Sequence, residues 1–116
     1  MNAPEVNHGL SHEAIEEIRQ TLAPFATYIE RVGLFGSRAT GCMRPQSDID
    51  LVLHGPVTQE MVDRLWTLFA ESSLPWPVDV VAYDLVTHQP FKLHIEAVEL
   101  PLFGQKELLQ SSGDPR

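Results

Sequence analysis

Residues 36–53 read Gly36-Ser37-Arg38-Ala39-Thr40-Gly41-Cys42-Met43-Arg44-Pro45-Gln46-Ser47-Asp48-Ile49-Asp50-Leu51-Val52-Leu53. The stretch changes character midway. Through Gln46 it is small and polar without alternation, which predicts a turn, a short helix from Arg38 and then a loop. From Asp48 to His54 it predicts a strand, closed by Gly55-Pro56. Strand side chains alternate faces, so Asp48 and Asp50 share one face while Ile49, Leu51 and Leu53 share the other. Two carboxylates at that spacing stand ~7 Å apart along the backbone, and their tips can converge on one cation or on a pair ~3.5–4 Å apart. Without a cation the two like charges repel, and one shifts toward protonation. Taken alone, the pair reads more simply as a solvent-facing edge strand, or as Ser47 and Asp48 forming a turn.

Upstream, Tyr28 to Phe35 is β-branched and aromatic enough for a strand, and Gly36-Ser37 stands where it ends. Glycine permits close backbone approach, serine supplies a hydroxyl and an N–H, and a helix starting at Arg38 would aim its first amides at the same place, as at an anion site. By itself Gly-Ser after a strand is a turn. Downstream, Val78 to Tyr83 reads as a third strand interrupted by Asp79. An unpaired carboxylate is expensive to bury, so Asp79 needs a half-exposed strand, a partner or a metal. If the second and third strands are neighbours, Asp79 meets Asp48 and Asp50 on one sheet face. Three hard oxygen ligands of this kind suit Mg²⁺ or Mn²⁺.

The rest of the chain fits around this centre. Ser11 caps a helix carrying Ala14, Ile15, Ile18 and Leu22 and ended by Pro24. Thr58 caps another through Ser72, with Met61, Leu65, Leu68 and Phe69 on one face. A third runs from about Pro90 to Glu96, and Val98 to Phe103 is a short fourth strand. Alternating helices and strands predict an α/β (α+β) fold, a small mixed β-sheet flanked by helices. Residues 11–110 form one domain in this reading, with 1–10 a flexible tail and 111–116 another.

The chain has 116 residues, 43% of them hydrophobic, which suits a single folded domain. Eight Lys and Arg against sixteen Asp and Glu give a net charge of −8, which disfavours general nucleic-acid binding and adsorption to anionic membranes. The one cysteine, Cys42, excludes an intrachain disulfide. No secretory signal and no run of ~18 apolar residues is present, so a cytoplasmic protein is the expectation. His8, His12, His54, His88 and His94 are scattered without zinc-ligand spacing. Trp76 either packs in its loop or stacks on a base, and Phe35, Phe69 and Phe91 read as core.

Gly-Ser closing a strand, ten intervening residues, Asp-Ile-Asp-Leu opening the next, and a distal Pro77-Val78-Asp79-Val80-Val81 together resemble the DNA polymerase β-like nucleotidyltransferase superfamily. The text looks most like the minimal nucleotidyltransferases of prokaryotes, including those that act as antitoxins, and the resemblance spans roughly Tyr28 to Phe103. It implies the nucleotidyltransferase fold. It also implies that Gly36 and Ser37 hold the β- and γ-phosphates of ATP or another nucleoside triphosphate, with Arg38 and Arg44 neutralising the triphosphate. Asp48, Asp50 and Asp79 would be the catalytic metal ligands, for two Mg²⁺ ions or Mn²⁺, and Asp79 would also orient or deprotonate the acceptor hydroxyl. In the better understood pairs of this family, AMP passes from ATP to a tyrosine of a helical HEPN toxin (AMPylation within a toxin–antitoxin system). An acidic domain suits such a protein partner better than a nucleic-acid primer. Transfer to a small molecule, a non-catalytic nucleotide- or partner-binding module, and a homodimerising structural subunit stand as alternatives.

Overall fold

Hydrophobic alternation on one strand organises the architecture. A computed structural model describes residues 8–41 and 44–110. Strands β1 (Arg31–Phe35), β2 (Ile49–His54), β3 (Val78–Ala82) and β4 (Leu100–Gly104) form one sheet in the order β3-β2-β1-β4. β1 runs antiparallel to both β2 and β4, whereas β2 and β3 are parallel, so the sheet is mixed as the sequence predicts. The parallel pair needs a crossover, and helix α3 (Gln59–Ala70) supplies it.

Ile49, Leu51 and Leu53 of β2 enter the main core with Val32, Leu34, Val78 and Val80. Helices α1 (His12–Leu22) and α3 close that core with Ile18, Leu22, Val62, Leu65 and Phe69. Both helices start at the predicted caps: the Ser11 hydroxyl accepts the Ala14 N–H at 3.1 Å, and the Thr58 hydroxyl accepts the Met61 N–H at 3.2 Å. Phe35 and Val52 pack instead in a second cluster, beneath helix α4 (Gln89–Val98), with Ile95, Phe91 and Val81. The rings of Phe35 and Phe91 meet edge to face, centroids 5.7 Å apart.

Four local differences separate the structure from the sequence reading. The first strand starts at Arg31 rather than Tyr28, because Ala23–Tyr28 coils into a 3-10 helix with Pro24 in its first turn. Helix α2 (Ser37–Thr40) begins one residue before Arg38, capped by Gly36. A further helix, α5 (Gln105–Gln110), directly follows β4 and places Leu108 in the main core. Residues 8–10, expected within the N-terminal tail, are tied to the body: the His8 carbonyl accepts a bond from Arg38 at 2.7 Å, and Leu10 packs against the core. The tails at 1–7 and 111–116, and Cys42 in the motif loop, lie outside the described residues. Among the described residues no helix is long and apolar enough to cross a membrane.

Candidate active site

Register brings the carboxylates together. Asp50 on β2 lies beside Asp79 on the parallel β3 and opposite Phe35 on β1, the last residue before Gly36. Both aspartates are partly buried, and their side chains share a hydrogen bond. Burial first, then the charge and hydrogen bond of Asp79, then the charge of Asp48, push the Asp50 pKa up to about 6. Asp48 precedes the strand and is exposed. Among the described residues no ion pair to lysine, arginine or histidine engages Asp50 or Asp79.

Gly36 is required twice over. Its φ of +79° lies in the left-handed region, and a Cβ there would stand 2.2 Å from Asp50 Oδ2. The backbone at the end of β1 therefore touches the carboxylate that the next strand presents. Its carbonyl accepts the Ala39 and Thr40 N–H groups at 3.1 and 3.2 Å, which starts α2. Ser37 is partly exposed, and among the described residues no hydrogen bond engages its hydroxyl.

The two arginines separate. Arg38 is only 1% exposed; its Nε and Nη2 donate to the Ser47 carbonyl at 3.1 and 2.8 Å, and its Nη1 donates to His8 O. Burial lowers its pKa, opposed by the charge of Asp48. Its guanidinium thus holds the loop between α2 and β2 from within. Arg44 is exposed on that loop, where the Arg44 N–H donates to Ser47 Oγ at 2.8 Å and the Ser47 N–H donates to the Arg44 carbonyl at 2.9 Å.

Among the described residues no three His, Cys, Asp or Glu side chains converge closely enough to enclose a metal ion. The contacting pair is Asp50 and Asp79, with Asp48 at the exposed end of the strand. This donor set fits Mg²⁺, which takes one or two protein carboxylates and completes its octahedron with water and substrate phosphates. A cation would relieve the repulsion between these two half-buried carboxylates.

Other polar groups cluster away from this site. His54, 7% exposed at the far end of β2, meets the Glu99 carboxylate through Nε2 at 2.9 and 3.0 Å, and Arg31 stands 3.7 Å from the same carboxylate. With Tyr83, Glu96 and Pro101 they line a cavity of about 340 Å³. Sequence reading assigned His54 no role, since Glu99 is remote in the chain and only the fold makes them neighbours.

Known proteins share the sequence pattern and the fold. The chain is 36% identical over 86 residues to the probable protein adenylyltransferase MntA of Haemophilus influenzae, spanning 72% of this chain and 71% of that protein. A crystal structure of a toxin–antitoxin complex with AMP-PNP has the same fold, with a TM-score of 0.65, 19% identity, and coverage of 82% of this chain and 80% of the other. A mutant MntA–HpeT toxin–antitoxin structure aligns similarly, with a TM-score of 0.63, 16% identity and the same coverage, 82% and 80%. The family model for the nucleotidyltransferase domain matches residues 13–104, a span that includes both carboxylate strands and the Gly36 turn. With its mixed sheet, its apposed aspartates and its glycine-closed first strand, the chain belongs to the nucleotidyltransferase domain family.

Proposed function

We propose that this protein is a Mg²⁺-dependent nucleotidyltransferase that moves AMP from ATP to a hydroxyl, a tyrosine of a helical HEPN-type partner, as the antitoxin of a toxin–antitoxin pair. The observation that carries the chemistry is the half-buried Asp50–Asp79 pair set against the Gly36 backbone. The acceptor and the biological setting draw support from the relatives, one described as a probable protein adenylyltransferase and two as toxin–antitoxin structures.

In this reading Asp50 and Asp79 would hold the metal as a contacting pair, and Asp48, exposed just before the strand, would join them as a third ligand by turning toward the bound ion. Bound Mg²⁺ supplies charge neutralisation of the triphosphate and polarisation of the α-phosphate. Gly36 and Ser37 hold the β- and γ-phosphates, the glycine by lacking a Cβ where the phosphates approach and the serine through its available hydroxyl. Arg44 faces solvent on the loop and meets the triphosphate from outside, while Arg38 keeps that loop in place. The acceptor oxygen attacks the α-phosphorus in line; the bond to the β-phosphate oxygen breaks, pyrophosphate leaves, and Asp79 receives or orients the acceptor proton.

Co-expression with a HEPN-type helical protein as candidate partner, followed by intact-mass spectrometry of that protein, tests the assignment. One added AMP, located on tyrosine and missing with Asp50→Asn, is expected. A partner that remains unmodified beside the folded wild-type protein contradicts it.

A further inference from the structure

Trp76 lies in the loop before β3, three residues ahead of Asp79, and is partly buried. Its indole contacts the motif loop in two ways. Nε1 donates to the Pro45 carbonyl at 2.7 Å, and the ring lies under the Arg38 guanidinium, whose Cζ is 4.9 Å from the centroid. That guanidinium donates in turn to the Ser47 carbonyl through Nε and Nη2. Pro45 and Ser47 belong to the turn that leads straight into Asp48, and the turn is closed by the Arg44–Ser47 bonds.

Asp48 is exposed at the end of that turn, and its charge acts on the Arg38 guanidinium that grips the turn. We propose that Trp76 is a positioning residue: with Arg38 it clamps the 44–47 turn from which Asp48 projects, and ties that turn to the start of the strand that carries Asp79. The proposal rests on the metal-binding reading of the three aspartates and deepens it. A cation over an aromatic face and a guanidinium fork on a carbonyl are each directional, so together they fix the turn more tightly than apolar packing would. The two contacts occupy both the indole N–H and a ring face, which leaves Trp76 poorly placed as a base-stacking platform.

The protein has two tryptophans, so Trp66→Phe leaves Trp76 as the sole indole emitter. In that background, Mn²⁺ titrated near neutral pH should change Trp76 emission, with the midpoint found by calorimetry. Trp76→Leu, in the otherwise native chain, should weaken calorimetric Mn²⁺ affinity by about tenfold or more, the usual effect of removing a group that orients a ligand. Trp76→Phe keeps the stack on Arg38 and loses the bond to Pro45, so its affinity should fall between the two. A purely structural tryptophan would lower the melting temperature and leave the metal affinity of the folded protein unchanged. Unchanged Mn²⁺ affinity in folded Trp76→Leu therefore overturns the proposal; if that variant does not fold, unchanged affinity in Trp76→Phe does so. Wild-type protein that binds no Mn²⁺, or binds it equally well with Asp50→Asn, defeats the metal reading itself, and the two failures are thereby distinct.

Discussion

Asp50 is half-buried, hydrogen-bonded to Asp79, and titrates at about 6 rather than at the 3.8 of an ordinary aspartate. Between those values the folded state keeps a proton that the unfolded chain has released, so stability falls as pH rises through the window. Asp50→Asn removes that dependence and should be more stable than wild type at neutral pH by about 1 kcal/mol, after discounting the shift for partial solvent screening. Urea denaturation with EDTA at pH values on either side of the window measures it. Saturating Mg²⁺ should close the gap by stabilising only the wild type. Gly36 makes the complementary prediction. Gly36→Ala puts a Cβ on Asp50 Oδ2 and strains a left-handed backbone, costing about 1–3 kcal/mol. It should also slow transfer by about 10²-fold, because the Asp50 carboxylate must move; equal rates in the two proteins would remove Gly36 from the site. That Gly36 ends the first strand and that Asp50 stands near the start of the next was legible in the sequence, because both are local to the motif. The fate of Arg38 was not: whether an arginine faces a phosphate or a buried carbonyl depends on which carbonyls the fold brings to it, here Ser47 and His8.

Strands and long helices were legible as well, since β2 carries its alternation and α1 and α3 carry caps with apolar spacing. Helix α5 was not, because its six residues are too few to display a period. It forms through contacts that sequence spacing does not reveal. The Glu107 carboxylate accepts the Gly104 N–H at 2.6 Å, half of a capping box, and Gln105 donates from its backbone to Glu30 O at 2.9 Å and from its side chain to Ala26 O at 3.0 Å. Leu108, fully buried, then seals the core beside the 3-10 helix. Leu108→Ala should cost about 2–5 kcal/mol in denaturant unfolding while leaving the Mn²⁺ affinity of the folded protein intact. A loss of metal affinity without loss of stability would mean that α5 acts on the site rather than on the core.

At the scale of the molecule, the sheet separates two tasks. One face buries the main core under α1, α3 and α5, and the other carries Asp50 and Asp79 beside the smaller cluster under α4. The parallel β2–β3 pairing is what converts two distant sequence features into one site. The sequence reading stated it only as a condition, because strand order is decided by the α3 crossover rather than by either strand. The −8 charge suits a domain whose acceptor is a protein rather than a polyanion. The most direct test of nucleotidyl transfer follows the phosphorus atoms. The protein is incubated with the proposed HEPN-type partner, Mg²⁺, and ATP labelled at either the α- or the γ-phosphate. Label should reach the partner from the α position alone, only with Mg²⁺, and not with Asp50→Asn or Asp79→Asn. Transfer of γ label, or α label undiminished by those substitutions, would contradict the account.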